Sequence, residues 1–394
     1  MFKASILRLK LFSTELNKSR FPLPLNFAFF IRALTILVAL NFAAGVYSQD
    51  VTDEKEIRID TALVEVPLIV TTKDGRPLTG LKKENFLLFE DGKQQEIANF
   101  STTSEPFEVV LLLDTSGSTF AELSKIRRAA KEFIDRLRAG DKVALIAFSA
   151  SNTGRSSDTF SIILSPLTSD RSALYQALER LTTSYGTPYY DSLLKVTEEV
   201  FNKPAERQFK GRRALVAMTD GVDSTSKSDF DLASEQILRA GLSVYFLRID
   251  SRDYFEENLL GDCTVAKHFS DSQLKRFYDS FGKGSRIERK TNFCQLGDFE
   301  RLEISKRLYE IADNEMERLA AASGGKVFEA GTDSEVLRAF GQIAQEIGSR
   351  YAIGYYSNNT AQDGSYRKIT VKGRNLPAGA IIRAREGYIA PKSQ

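Results

Sequence analysis

The sequence has no tryptophan, one histidine and two cysteines among its 394 residues. Zinc and similar metals are held by several Cys or His side chains, so this composition leaves little material for such a site. A serine hydrolase needs a histidine as its base, and the single histidine, His268, lies in a polar segment with the character of a surface loop. The absence of tryptophan says nothing about function.

Several enzyme motifs are also missing. The P-loop pattern G-x-x-x-x-G-K does not occur. A haloacid-dehalogenase phosphatase needs D-x-D after its first strand, and here Ser116 stands in the third position. A catalytic cysteine is disfavoured because two cysteines in an exported chain tend to pair. The chain is therefore predicted not to be an enzyme, with an unrecognised hydrolase built around residues 251–300 as an alternative.

Residues 1–48 have the composition of a targeting segment. Six basic residues and Glu15 precede the apolar run ALTILVALNFAAGV at 33–46, which is as long as a signal-peptide core and short for a membrane span. Small residues near Ser48 fit cleavage at that point. We expect export to the periplasm, the cell envelope or the medium. An uncleaved membrane anchor and a buried N-terminal helix are the alternatives.

The charge balance argues against nucleic acid as a partner. The chain has 54 Lys and Arg and 52 Asp and Glu, of which residues 1–48 hold six and one, so the remainder has 48 and 51 and a net charge of −3. No basic run stands out. Contact with a membrane is expected only through an N-terminal anchor.

The remaining chain divides by pattern into three parts. Residues 49–105 alternate Val64, Val66, Leu68 and Val70 on one face and place Asp91-Gly92 between two strand-like runs, which predicts strands and a tight hairpin. Residues 106–349 alternate apolar strands with amphipathic helices, which is typical of a parallel sheet covered by helices. Residues 350–394 hold three further strand-like runs. We predict that they pair with 49–105, with two separate β appendages as the alternative.

The segment 251–300 interrupts this alternation and is interpreted as an insertion at the rim of the domain. It contains both cysteines, Cys263 and Cys294. An even count, the expected export and their common segment predict a disulfide that closes the insertion.

Oxygen-bearing side chains follow the ends of strands in the α/β part. Ligands of open α/β sheets bind at the carboxyl ends of the strands. There the sequence has two carboxylates and three hydroxyls, and such oxygen donors suit Mg²⁺ or Ca²⁺. They are Asp114, Ser116, Ser118, Thr187 and Asp220.

Each of these residues has a simpler interpretation. Thr187 precedes Pro188 and could cap a helix. Ser116 and Ser118 could cap the next helix, and Asp220-Gly221 is a common turn. The coincidence of the three motifs favours the metal site. Asp191 and Asp223 are expected to support the ligands or to face solvent.

The pattern D-x-S-x-S after an apolar strand, Thr in a G-T loop and T-D-G after a later strand resembles the metal-ion-dependent adhesion site of von Willebrand factor type A (VWA) domains. All five positions match. The resemblance implies a Rossmann-like α/β VWA domain with a mostly parallel sheet and helices on both faces, here inserted in or flanked by a small β-sandwich. It also implies hydroxyl ligands close to the metal. The flanking sequences further resemble bacterial VWFA-related secreted proteins of the acidobacterial type.

From this resemblance we expect an exported adhesion or scaffold module. It would use Mg²⁺, or Ca²⁺ or Mn²⁺, to bind a protein that offers a Glu or Asp to the metal. The alternative is a structural protein whose metal only stabilises loops.

Overall fold

The protein is described from a computed structural model, which covers residues 63–102, 106–117, 123–152, 157–202, 212–282, 287–348 and 351–392. The predicted leader at 1–48 lies outside these residues. Within them, no helix has the length and apolar character needed to cross a membrane. The described residues belong to one compact unit that spans Asp60–Gln394.

A six-stranded sheet forms the centre of the α/β part, in the order β10-β9-β8-β5-β6-β7. Five of its strands are parallel, and β7 is antiparallel to β6. The strands are β5 (Glu108–Leu113), β6 (Lys142–Asn152), β7 (Ser157–Thr168), β8 (Arg213–Thr219), β9 (Ser243–Arg248) and β10 (Lys326–Glu329). All six residues of β5 are buried, as expected for a parallel strand with helices on both faces.

Helices cover both faces of this sheet and bury two apolar clusters against it. In chain order the described helices are α1 (Leu123–Asp135), α2 (Arg171–Glu179), α3 (Tyr189–Lys195) with a π turn (Val196–Val200), α4 (Phe230–Arg239), α5 (Arg252–Glu257), α6 (Asp271–Asp279), α7 (Asp298–Ser323) and α8 (Asp333–Gly348). All of them except α5 and α6 contribute to these two clusters. The α1 stripe shows the pattern: Ile126, Ala130 and Phe133 recur at helical spacing and are buried. This part has the predicted Rossmann-like α/β fold.

The segment 251–300 is more ordered than its mixed composition predicts. It contains α5 and α6 and a short 3₁₀ turn (Phe293–Gln295). Leu259, Phe269, Leu274 and Phe293 form an apolar cluster with residues of α7. The insertion is therefore a packed subdomain on the rim of the sheet.

The remaining strands form two four-stranded antiparallel sheets, in the orders β13-β1-β11-β4 and β14-β12-β2-β3. The strands are β1 (Leu63–Thr71), β2 (Phe86–Glu90), β3 (Lys93–Gln95), β4 (Asn99–Thr102), β11 (Tyr351–Tyr356), β12 (Tyr366–Gly373), β13 (Ile381–Ala384) and β14 (Gly387–Ile389). Val66, Leu68 and Val70 of β1 share an apolar cluster with Leu88 of β2 and Ile353 of β11. The two sheets thus pack face to face as a small β-sandwich.

The hairpin predicted at Asp91-Gly92 is confirmed. Strands β2 and β3 pair up to Glu90 and Lys93, leaving a two-residue turn. Asp91 has a φ of 47° and Gly92 a φ of 79°, and two positive φ values are what a type I′ turn requires.

One strand-like run proves to be two strands. The last of the three runs predicted in the C-terminal part is AIIRAREGYIA at 380–390, and it contains both β13 and β14. Strand β13 pairs with β1, whereas β14 pairs with β12 of the other sheet. The chain changes sheets between Ala384 and Gly387. A strand that passes from one sheet to the other forms a corner of a sandwich.

Candidate metal centre

The point where the strand order reverses brings two aspartates together. Strand β5 has β6 on one side and β8 on the other, and such switch points are where open α/β sheets bind ligands. Asp114 follows β5 and Asp220 follows β8. The Asp114 N–H donates to Met218 O at 2.9 Å, which fixes the two strand ends against each other.

Asp114 is completely buried, so it belongs to the core rather than to an exposed loop. Its Oδ2 accepts a hydrogen bond of 2.6 Å from the Thr219 hydroxyl, and its Oδ1 accepts one of 2.9 Å from Ser116 N–H. A buried carboxylate must be hydrogen-bonded or neutralised because desolvation of the charge is costly. These two donors hold Asp114 in a fixed orientation next to Ser116.

The loop that carries Thr187 is held against the same edge. Ser184 N–H donates to Thr115 O at 2.7 Å, and Thr187 N–H donates to the Ser224 hydroxyl at 2.8 Å. A Cβ at Gly186 would lie 2.6 Å from Cγ2 of Thr225, so only glycine fits this close approach. Close packing against Thr225 therefore explains the glycine of the G-T sequence.

The first helix turn after this loop argues against a capping role for Thr187. The N-cap position of α3 is Pro188. The backbone N–H groups of Tyr189 and Tyr190 donate to Asp223 Oδ2 at 2.9 and 3.2 Å. Asp223 therefore caps α3 in place of Thr187.

A cavity of about 300 Å³ opens at this edge of the sheet, and Ser116, Thr187 and Asp220 line it. Asp114 lies directly beside this lining through its bond to Ser116, and Ser118 lies outside the described residues. The donors are carboxylate and hydroxyl oxygens, which fit a hard cation such as Mg²⁺. Among the described residues, no group of three or more His, Cys, Asp or Glu could hold a metal, so binding here would depend on the hydroxyls.

Asp220 is held by hydrogen bonds, and two of the residues involved, Ser251 and Tyr309, belong to none of the sequence motifs. Its Oδ1 accepts from Val222 N–H at 2.9 Å, and its Oδ2 accepts from the Ser251 hydroxyl. Since that hydroxyl has one proton, the contact of 2.9 Å between Ser251 Oγ and the Tyr309 hydroxyl has Tyr309 as the donor. Burial, together with the charge of Asp220, raises the pKa of Tyr309 far above its usual value. Tyr309 therefore keeps the proton that this chain of hydrogen bonds needs.

Asp191 and Asp223 do not line this cavity. Asp191 accepts from the backbone N–H groups of Lys227 and Ser228, both at 3.0 Å. Asp223 is buried, and Arg276 of α6 lies 3.6 Å from its carboxylate. Burial raises the pKa of Asp223 despite these partners. Both aspartates shape the loops around the cavity.

The insertion supplies one wall of the cavity through Phe255, Lys267, His268, Phe269, Ser270 and Gln273. His268 is exposed. Its ring stacks on Phe293 with 4.3 Å between centroids, and its Nε2 lies 2.7 Å from Cys263 O. In the structure Cys263 and Cys294 form a disulfide with 5.2 Å between their Cα atoms. The disulfide-bonded Cys263 therefore contacts this wall through His268.

An open α/β sheet with an oxygen-lined cavity at its switch point is typical of the doubly wound α/β proteins, which bind ligands at this place. Within that class, residues 108–277 match the von Willebrand factor type A domain family. The chain therefore contains a von Willebrand factor type A domain. The narrower resemblance to acidobacterial-type secreted proteins stays a prediction.

The chain is also similar to several solved structures of bacterial proteins. BatB, a conserved hypothetical protein from Bacteroides thetaiotaomicron, is 20% identical over 62% of this chain and 100% of its own, with a TM-score of 0.35. A von Willebrand factor type A protein from Catenulispora acidiphila is 12% identical over 78% and 74%, with a TM-score of 0.40. The pilus adhesin SpaC from Lactobacillus rhamnosus GG is 12% identical over 82% and 47%, with a TM-score of 0.38. No curated protein sequence matches the chain significantly.

Proposed function

We propose that this protein is an exported, non-enzymatic module that binds a protein partner through a divalent cation. The observation that supports this most is the convergence of Ser116, Thr187 and Asp220 on one cavity with Asp114 beside them. These residues, with Ser118, would hold Mg²⁺, Ca²⁺ or Mn²⁺. The cation would act as a Lewis acid that accepts a carboxylate oxygen of the partner.

The chain prepares this site before any cation binds. Hydrogen bonds from Thr219 and Ser116 orient Asp114, and hydrogen bonds from Val222 and Ser251 orient Asp220. Ligands that are already oriented lose little conformational entropy on binding. Two carboxylates neutralise one divalent cation, and water would complete its coordination. A Glu or Asp of the partner would replace one of these waters as a ligand.

Export and a non-enzymatic role have separate support. The leader at 1–48 indicates export, and the disulfide between Cys263 and Cys294 fits an oxidising compartment. His268, the single histidine of the chain, packs against Phe293 and the Cys263 carbonyl, which disfavours a role as a catalytic base.

Calorimetric titration of residues 49–394 with Mg²⁺, Ca²⁺ and Mn²⁺ tests the metal site. We expect binding of one ion per chain and a loss of affinity of about 100-fold or more in Asp114→Asn, because one of two carboxylates is removed. Asparagine keeps the shape of this buried side chain, so a thermal melt should show that the variant is folded. The exposed Asp253 on the insertion provides the control Asp253→Asn, which should bind like the unmodified protein. Unchanged affinity in Asp114→Asn would exclude this metal site.

Partner capture distinguishes adhesion from a purely structural metal. The protein would be immobilised and exposed to envelope extract with and without a chelator. Loss of bound protein on chelation, with an unchanged melting temperature, supports metal-mediated binding. Capture that persists while the melting temperature falls supports the alternative, in which the metal only stabilises loops.

A further inference from the structure

Lys267 lies at the cavity that the sequence motifs define, although it belongs to none of them. It lines the cavity together with Ser116 and Thr187. Its Nζ lies 3.8 Å from the position that a Cβ on Gly117 would occupy. An ammonium group from the insertion thus faces the loop that follows β5.

The position of Lys267 is fixed by its surroundings. Its backbone N–H donates to Asn258 O at 2.7 Å. Its Nζ lies 4.5 Å from the centroid of the Tyr254 ring, a cation–π distance. The next residue, His268, is held by Phe293 and by the carbonyl of the disulfide-bonded Cys263. The ammonium is therefore presented by a braced segment.

Within the described parts of the chain, no carboxylate lies within 4.0 Å of this ammonium, unlike that of Lys195 or Lys290. Its side chain is half-buried. A lysine held beside a cavity, partly withdrawn from water and without an acidic partner there, favours an anion as the ligand.

The charges of the loaded cavity lead to the same conclusion. A divalent cation with Asp114 and Asp220 is neutral, and Lys267 adds one positive charge. One carboxylate from a partner restores neutrality. A neutral amide of the same shape would leave the positive charge unmatched.

We propose that Lys267 is the specificity-determining residue of this site and that it binds the partner's Glu or Asp carboxylate together with the cation. This inference rests on the proposed function. One carboxylate oxygen would bind the cation and the other would accept a hydrogen bond from Nζ. The disulfide-closed insertion then serves to place this second positive group.

The inference predicts opposite effects of one substitution on two affinities. The ammonium repels a nearby cation and attracts a carboxylate. Lys267→Gln should therefore bind Mg²⁺ about 3- to 10-fold more tightly and a carboxylate ligand about 10-fold more weakly. A merely structural role for Lys267 would weaken both affinities or neither.

Calorimetry measures the first affinity, with Mg²⁺ alone. For the second, the probes are the peptide acetyl-Gly-Glu-Gly-amide and its Gln counterpart at saturating Mg²⁺. The Glu peptide should bind better than the Gln peptide, and Lys267→Gln should reduce this preference. Lys267→Arg keeps the charge and should retain it. The exposed Lys275 of the same insertion provides the control Lys275→Gln, which should change neither affinity.

The outcomes separate this inference from the proposed function. If the unmodified protein binds no Mg²⁺, or does not prefer the Glu peptide, the proposed function is wrong and the role of Lys267 is wrong with it. If it binds both but Lys267→Gln keeps the same preference, only the inference is overturned. An unchanged or weaker affinity for Mg²⁺ in this variant, with a melting temperature that has not moved, would also overturn it.

Discussion

At the scale of single residues, the site consists of side chains that follow strand ends and of Tyr309 and Lys267, which lie elsewhere in the chain. Asp114, Ser116 and Asp220 could be predicted because parallel strands meet at one edge of a sheet. Ser251 could have been found by the same rule, since it follows the end of β9. Tyr309 lies in the middle of α7, where no local pattern distinguishes it from a core tyrosine. Lys267 was missed because only the folding of the insertion brings it to the cavity.

A charged contact beside the cavity should make stability depend on pH. Asp223 is buried and lies 3.6 Å from Arg276, whose guanidinium also lies 4.6 Å from the centre of the Tyr190 ring. Arg276→Gln removes the opposite charge from a buried carboxylate. We expect a loss of up to about 3–5 kcal/mol at pH 7, which is the range for breaking a buried ion pair.

The sign of the pH dependence follows from the pKa of Asp223, which burial raises in the folded protein. A raised carboxyl pKa means that the folded state binds the proton more tightly than the unfolded state. Below the pKa of Asp223 in the unfolded chain, this carboxyl is protonated in both states and Arg276→Gln removes no ion pair. The destabilisation by Arg276→Gln develops as the pH rises through the pKa of Asp223 in the folded protein. Urea unfolding of Arg276→Gln at pH 4 and pH 7 should show the smaller loss at pH 4. Lys275→Gln is the control, and an equal loss at both pH values would contradict this account.

At the scale of elements, periodicity predicted strands and helices better than it predicted strand direction. The alternation of strands and helices in residues 106–349 and the mostly parallel sheet are confirmed. The pattern does not show which strand is antiparallel, because an apolar run is the same in either direction. The available signal was length: only residues 153–156 separate β6 from β7, which is too short for a parallel crossover.

The internal packing of the insertion could not be predicted because its apolar residues are dispersed among charged ones. Leu274 and Tyr278 are four residues apart on α6, and both enter the cluster with α7. Phe269 and Phe293 join this cluster from turns. Such a core depends on contacts between residues that are far apart in the sequence, so a local sequence pattern does not predict it.

The disulfide between Cys263 and Cys294 should stabilise the insertion. Two thiols should be absent when protein purified from the periplasm without reductant is titrated in denaturant. Replacing both Cys263 and Cys294 by serine should cost about 3–4 kcal/mol, because the bridge closes a loop of 31 residues and restricts the unfolded chain. Chemical unfolding of the variant measures this cost. Two titratable thiols in the protein as purified would show that the bridge does not form in the cell.

At the scale of the whole molecule, residues distant in sequence build the β-sandwich. Strand β1 lies between β11 and β13, so both of its neighbours come from the C-terminal part. The buried Glu90 of β2 accepts hydrogen bonds from the hydroxyls of Tyr355, Ser357 and Tyr388 at 2.6, 2.6 and 3.1 Å. The sequence could suggest this pairing from incomplete strand sets, but it could not give the register.

Removal of the C-terminal part tests whether the N-terminal strands depend on it. Truncation after Ser349 would expose both edges of β1 and leave Glu90 without its three hydroxyl donors. Unpaired strand edges and a buried carboxylate without donors are both unfavourable. In residues 49–349 we therefore expect rapid proteolysis between residues 63 and 102, while fragments from the α/β part persist. Limited proteolysis with mass spectrometry, on the truncated and full-length proteins side by side, measures the difference. Equal resistance of residues 63–102 in both proteins would show that this segment folds alone and that the α/β part is not inserted in a shared sandwich.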